Sequence, residues 1–281
     1  MLMCLPMEFA FDDRAVVLKG KTKAALVVSD MHLGYETALE ERGVHIPQQH
    51  SKMIERLIHL VELYNIDKVY IIGDVKHSIL VDSSYNWNVV PEFMESLSQV
   101  VKTVIIPGNH DGDLEAILPR SVVLGDVVGT VFSDDEYSVG LIHGHAWPSR
   151  DVLSSDLIIM GHNHPAIRRI KRVVAEDLGR TERVRSLVTL PVILRTNLDR
   201  YCVCDKMGID PQVIKREGKL LILPGFNPLL SGIPVNLEHS KLQGPFYDNG
   251  CIDYLNSDVL STQGLFLGKV KHLKNKNQRK H

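Results

Sequence analysis

The sequence predicts an α/β fold, and three observations carry that expectation. Apolar runs of strand length alternate with helix-period segments between residues 24 and 106. Beyond residue 120 the pattern changes to short strand-like runs. Polar clusters follow the ends of those runs.

The elements follow in order. Residues 24–29 (AALVVS) form an apolar run, as expected of a strand covered on both faces. Residues 51–63 carry Met53, Ile54, Leu57, Ile58 and Val61 at a helical period, with Pro47 near the start. Lys68–Ile72 (KVYII) is the next strand, and residues 90–100 are a helix with a proline near its N-terminus. Residues 103–106 (TVII) are a third strand, stopped by Pro107-Gly108. This order predicts parallel pairing of the three strands. Residues 121–132 read as short strands, followed by strands at Tyr137–Ile142 and Leu157–Met160. Residues 166–217 are the least readable stretch, with Arg168-Arg169, Lys171-Arg172 and a strand-like run at 190–194. Residues 220–223 (LLIL) are a late core strand ending at Pro224-Gly225. The ending GKVKHLKNKNQRKH shows no apolar face and is expected to be a disordered, basic tether.

Composition bounds the function. The chain has 281 residues, 44% hydrophobic and 23% charged, which excludes wholesale disorder. No apolar run reaches the roughly 18 residues of a membrane helix. The opening MLMCLPMEFAF has no basic n-region and soon meets Asp12 and Asp13, so no secretory signal is expected. Four cysteines (Cys4, Cys202, Cys204, Cys251) are too few for a disulfide scaffold, which predicts a reduced, cytoplasmic setting. The net charge of −2 hides an asymmetry. Residues 1–164 hold 12 basic against 23 acidic side chains, and residues 165–219 hold 13 against 7. An acidic first part suits cations, and a basic second part suits a polyanion or is simply a solvated face.

The chemistry lies in five clusters. Asp30-Met31-His32 follows the first strand, Gly73-Asp74-Val75-Lys76-His77 the second, and Gly108-Asn109-His110-Asp111 the third. His143-Gly144-His145 and Gly161-His162-Asn163-His164 follow two later strands. Strand carboxyl ends border the binding crevice in open α/β sheets, so the clusters are expected to converge. Carboxylate, imidazole and amide oxygen together suit divalent manganese, iron or zinc. In an extended D-x-H segment both side chains point one way and reach one ion. The glycines before Asp74, Asn109 and His162 are read as sharp turns off a strand.

D-x-H, GDxxH, GNHD, HGH and GHxH in this order resemble the calcineurin-like metallophosphoesterase superfamily. The likeness spans about residues 24–230, counting PGFNP at 224–228. It implies a four-layer β-sandwich flanked by helices. The chain then reads as one domain over 1–262, with a basic insert at about 165–219 and a flexible tail over 263–281. The resemblance implies two divalent ions, manganese first, with iron or zinc as alternatives. Asp30, His32, Asp74 and His164 would hold one ion. Asp74, Asn109, His143 and His162 would hold the other, with Asp74 as the bridge. His110 would face the substrate phosphate and leaving group, oriented by Asp111. A metal-bridging hydroxide would attack phosphorus in line. His77 resembles the DNA-repair exonuclease branch, where it assists phosphodiester cleavage. The size and GFNPLLSG resemble the ICC-like group that includes the DNA-ligase-associated metallophosphoesterases. The capping domain and coiled coil of the repair exonucleases do not fit after residue 230.

The expected function is therefore phosphodiester hydrolysis, with nucleic acid as a candidate substrate. A phosphomonoesterase or nucleotide phosphatase would use the same centre. A non-catalytic scaffold like the retromer subunit can lack the catalytic histidine, whereas His110 is present here. A zinc peptidase is disfavoured because no H-E-x-x-H occurs. No membrane partner is expected, and the chain is read as a monomer or homodimer. His145 supports the site or contacts phosphate. Lys76 and Arg150 either touch phosphate or are surface charge. His45, His50 and His59 read as loop, surface or packing residues. Tyr85 and Trp87 either stack on a base or close their loop onto the core. Cys202-x-Cys204 could be half of a zinc site completed by Cys4 and Cys251.

Overall fold

In the first apolar run, alternate side chains turn to opposite faces and both faces are covered. Ala25 and Val27 join one core cluster, and Leu26 and Val28 join another. That double burial fixes the layers. The structure, a computed structural model, describes residues 7–79, 84–134, 136–177, 180–212 and 214–278.

The first sheet holds β1 (Glu8–Asp12), β2 (Ala15–Lys19), β3 (Ala24–Val28), β4 (Lys68–Ile72), β5 (Lys102–Ile106) and β6 (Val123–Leu124), in that spatial order. β3, β4, β5 and β6 pair in parallel, as the sequence predicts for the first three. The β1–β2 hairpin was not legible. Its turn residues Asp13 and Arg14 take φ of +40° and +72° without a glycine to signal them. The second sheet draws on β7 (Thr130–Asp134), β8 (Tyr137–Ile142) and β9 (Leu157–Met160). A ribbon of β10 (Pro165–Asp177) and β11 (Arg180–Pro191) follows, extended by β14 (Ile233–Pro234). The second sheet is completed by β12 (Ile193–Asp199), β13 (Glu217–Ile222), β15 (Asp258–Leu260) and β16 (Phe266–Lys269). Its spatial order is β16-β15-β12-β13-β9-β8-β7.

The two sheets face each other. Val16, Leu18, Val27, Tyr70 and Ile72 of the first pack with Val139, Leu141, Ile159, Ile193 and Leu221 of the second. Helices α1 (Tyr35–Glu40), α2 (His50–Tyr64) and α3 (Ser84–Val100) belong to the first half. Met53, Leu57, Phe93 and Leu97 of α2 and α3 cover the outer face of the first sheet. The second sheet is backed by α4 (Arg150–Ser154), α5 (Arg200–Met207), α6 (Pro245–Asp248) and α7 (Val270–Gln278), through Leu153, Val203, Phe246 and Val270. The result is a sandwich flanked by helices, as expected.

Four expectations are corrected. α3 starts at Ser84 rather than near residue 90, and Pro91 lies inside it. The run at 190–194 is two strands, because Pro191 has no N–H to donate and the chain changes sheet there. The basic segment 165–219 is not one insert: residues 165–191 form the ribbon, and β12, α5 and the start of β13 belong to the second sheet. The basic end is not a free tail over its described part. β16 pairs with β15, Val270 is buried, and Leu273 packs on the second sheet's outer cluster. Two apolar residues three apart suffice, which is too little to register as an apolar face.

The cysteines differ too. Cys202 is disulfide-bonded to Cys251, and Cys204 is buried and free. Two positions apart on α5, Cys202 and Cys204 point to different sides and cannot share an ion. Cys4 lies outside the described residues. No helix among the described residues is long and apolar enough to cross a membrane.

Candidate metal centre

All five clusters sit at carboxyl ends of parallel strands, three on the first sheet and two on the second. The sandwich therefore brings them to one seam. The local backbone is not extended. Asp30, His32, Asp74, His162 and His164 have φ of +54°, +42°, +51°, +67° and +40°. The two side chains of D-x-H thus converge through left-handed turns, not through strand geometry. Asp and His tolerate this region better than most side chains. Main-chain bonds fix these turns: Asp30 N–H donates to Gly73 O (3.0 Å) and His32 N–H to Asp74 O (2.8 Å).

Of the three glycines, only Gly73 has positive φ, +85°. Gly108 and Gly161 are required for space instead. A Cβ at Gly108 would lie 2.2 Å from Asp74 Oδ1, and one at Gly161 would lie 2.5 Å from Asp30 Oδ2.

One donor group comprises Asp30, His32, Asp74 and His164, whose ligand atoms lie within 4.8 Å of one another. His164 Nε2 is 3.0 Å from Asp30 Oδ1, and His32 Nε2 is 3.4 Å from Asp74 Oδ2. Both Nε2 atoms are buried and make no aligned hydrogen bond. Buried imidazole nitrogens facing carboxylates without an aligned hydrogen bond fit a divalent cation. Beside this group, His143 Nε2 lies 3.2 Å from Asn109 Oδ1 and 3.5 Å from Asp74 Oδ1. His143 Nδ1 donates to Ile72 O at 3.0 Å, which aims Nε2 at the seam. The His162 ring is 5.0 Å from that of His143, and its main-chain N–H donates to Asp30 at 3.1 Å. The sequence-derived donors are thus brought together, and a divalent metal fits them.

The charges are interlocked. Burial works against a charged His143, but Asp74 and Asp30 outweigh it and raise its pKa to about 9. His164 is raised in the same sense, burial being overcome by Asp30. Burial depresses His32 to about 3 and His162 to about 4. Asp30 and Asp74 are held below the usual carboxylate range despite burial, chiefly by His164 and His143 respectively.

His77 and His110 stand next to this group. Their rings stack at 5.7 Å, and His32 lies 4.8 Å from His110. His110 Nδ1 donates to His77 O at 2.6 Å. A carbonyl only accepts, so Nδ1 carries the proton and Nε2 remains for substrate. His77 Nδ1 is 3.3 Å from His32 Nδ1. Asp111 does not hold the His110 ring as expected. Its carboxylate accepts from Gly108 N–H (2.8 Å), Val75 N–H (2.9 Å) and Lys76 N–H (3.4 Å). It ties two strand ends together instead.

Lys76 overturns both of its sequence readings. It is fully buried, and its ammonium donates to the carbonyls of Ser78 (2.9 Å), Ile79 (2.5 Å) and His110 (2.6 Å). Arg150 reaches Asp210 O rather than the site. The His145 ring lies 5.2 Å from that of His143 and tilted to it, with its buried Nδ1 unbonded. His45 is exposed against Glu40, and His50 meets the Tyr85 hydroxyl at 3.4 Å. Tyr85 packs against the core, whereas Trp87 is exposed. Sequence reasoning missed Asn227, whose buried amide donates to Met31 O at 2.9 Å and anchors the first motif. PGFNP marked that turn, without assigning the asparagine.

Fold and site define a hydrolase class built on divalent metal. Residues 24–187 match the model of the calcineurin-like phosphoesterases. The chain belongs to the calcineurin-like phosphoesterase family and is a phosphoester hydrolase. It is similar in fold to the nuclease MPE of Pseudomonas putida, at 18% identity over 93% of this chain and 100% of that one, TM-score 0.48. An archaeal phosphodiesterase matches at 20% identity over 56% and 79% of the two chains, TM-score 0.31. The phosphoesterase Yfce of E. coli matches at 18% over 51% and 71%, TM-score 0.34.

Proposed function

We propose that the chain hydrolyses phosphodiesters, with nucleic acid as the substrate class, as in the DNA-ligase-associated group its motifs resemble. The observation that carries this is the pairing of His77 and His110 beside a cavity with no Lys or Arg among its described lining residues. A monoester brings one more negative charge and calls for a cation there. The nearest lysine, Lys76, spends its protons on three carbonyls.

Asp30, His32, Asp74 and His164 would hold one divalent ion, and Asp74, Asn109, His143 and His162 a second, with Asp74 shared. Mixed carboxylate, imidazole and amide donors suit manganese. Such ions neutralise phosphoryl charge and supply a nucleophile at neutral pH. The chain's own part is positional and acid–base. As an imidazolium, with Nδ1–H kept on His77 O, His110 presents Nε2–H to the leaving oxygen and donates that second proton. His77 holds His110 through its carbonyl and shares the phosphate contact. His145 supports His143 from outside the donor set.

The test is manganese-dependent hydrolysis of bis-p-nitrophenyl phosphate beside p-nitrophenyl phosphate. Diester cleavage should dominate. His110→Ala should keep metal and lose turnover, and Asp74→Ala should lose both. Preference for the monoester would move the reading to a phosphatase. Full activity in metal-replete Asp74→Ala would refute the donor scheme.

A further inference from the structure

A cavity of about 390 Å³ opens beside His77 and His110. Neither Asp30, Asp74, His143, His162 nor His164 lines it. It thus lies on the proton-donor side of the centre. In an in-line displacement the group facing the proton donor is the leaving group, so the leaving group enters this cavity.

The cavity is half open to solvent, and its inner wall is braced. Lys76 ties the carbonyls of Ser78 and Ile79 to that of His110, so one wall moves with the proton donor. The Tyr85 ring backs onto Gly34, where a Cβ would approach Tyr85 Cδ1 to 3.0 Å. Leu33 and Ala38 supply further apolar surface. Ile79, on the same lining, is 56% exposed. Among the described lining residues Glu41 is the one carboxylate, and no Lys or Arg stands with it. Away from the two imidazoles, such a cavity offers a phosphate or carboxylate no lining cation among the described residues. It suits an apolar body with N–H donors on its edge, which a carboxylate accepts. The volume lies within the roughly 300–1,000 Å³ of small-ligand sites.

We propose that this cavity receives the base of a nucleoside leaving group, with its amino edge on Glu41. The proposal rests on the phosphodiesterase reading and specifies its substrate.

The test compares two manganese-supported reactions at one attacked phosphate. In one, thymidine phosphate is esterified to deoxycytidine; in the other, to methanol. The wild-type chain should favour the deoxycytidine ester. Ala38→Trp fills the cavity and should raise KM for that ester by about tenfold, the scale of one lost base contact. The methyl ester should be unaffected. Glu41→Ala, at an exposed position, should slow release of deoxycytidine but not of thymidine, and it serves where the tryptophan variant fails to fold. Deoxycytidine alone should bind the metal-free protein and lose binding in both variants. Equal cleavage of the two esters, or an unchanged Ala38→Trp, would overturn the proposal and leave the phosphodiesterase reading standing. If only p-nitrophenyl phosphate is cleaved, that reading fails, and deoxycytidine binding still reports on the cavity by itself.

Discussion

Gly108→Ala tests how the site is built. The added Cβ would sit 2.2 Å from Asp74 Oδ1 and 2.4 Å from the Asp74 main-chain nitrogen. Ordinary carbon contacts begin near 3.5 Å, so about 1 Å must be found. A rotamer change at Asp74 cannot supply it, because the closest main-chain atom continues β4 beside β5. Those strands are paired up to Ile72 and Ile106. The Gly108 N–H also donates to Asp111, and the His110 N–H to Asp74 Oδ1 at 2.9 Å. Overpacking of this kind costs about 1–3 kcal/mol. At this chain length that lowers the melting temperature by about 2–5 °C. The functional loss should be larger, since displacing catalytic groups by about 1 Å costs on the order of 100-fold. Gly112→Ala is the control: it lies four residues on, and its Cβ would meet nothing within 4 Å. It should be neutral, or stabilise by about 0.4–1 kcal/mol. Thermal melts and manganese-dependent diester hydrolysis on both variants decide the matter. If Gly108→Ala behaves like Gly112→Ala in both assays, the close-approach argument is wrong.

Three other outcomes are expected. Lys76→Met leaves three carbonyls without their donor and should cost about 2–4 kcal/mol in denaturant unfolding, with at least a tenfold fall in turnover; unchanged stability would show that Lys76 braces nothing. Metal binding at pH 7.5 should release about one proton or more, because His143 titrates near 9 in the metal-free state and must lose its proton to act as a ligand; calorimetry in buffers of different ionisation enthalpy reads the count, and zero release would contradict the His143 assignment. Without metal, stability should fall on both sides of neutrality. His143, raised above its unfolded value, stabilises below about 6.5 and loses that contribution as pH climbs through 9, whereas His32 and His162, depressed to about 3 and 4, make the fold less stable as pH drops below about 6.5. Melting temperature flat from pH 5 to 9.5 in chelator would refute this.

What the sequence revealed divides by range of interaction. β3, β4 and β5 were legible because strands buried on both faces are apolar throughout. The clustering of Asp30, His32, Asp74, Asn109, His143, His162 and His164 was legible because each motif is local and follows such a run. Lys76 was not: a lysine two residues after Asp74 looks like a surface or phosphate-binding cation until the carbonyls of Ser78, Ile79 and His110 close around it. Asp111 was misread for the same reason. Beside His110 in sequence, it spends its oxygens on main-chain groups of Gly108 and Val75. The end of the chain was misread because Val270 and Leu273 find their partners on a sheet finished by residues far earlier in sequence.

The left-handed donors also say when the site forms. Each such residue costs about 1–2 kcal/mol relative to an ordinary conformation, so five in one centre persist only if the surroundings over-determine them. The surroundings are main chain to main chain. Phe226 N–H donates to Ser29 O at 2.7 Å, Leu223 N–H to Met160 O at 2.8 Å, and Gly161 N–H to His143 O at 3.0 Å. Asn227 and Arg14 add side-chain bonds across the same turn. None of these bonds involves a donor side chain. The framework that aims the donors is thus built mainly from main-chain bonds, to which Asp30 and Asp74 add bonds from His162 N–H and His110 N–H. Asp30 and Asp74, kept ionised by His164 and His143, then present buried carboxylate oxygens that a divalent cation can take over from those imidazoles.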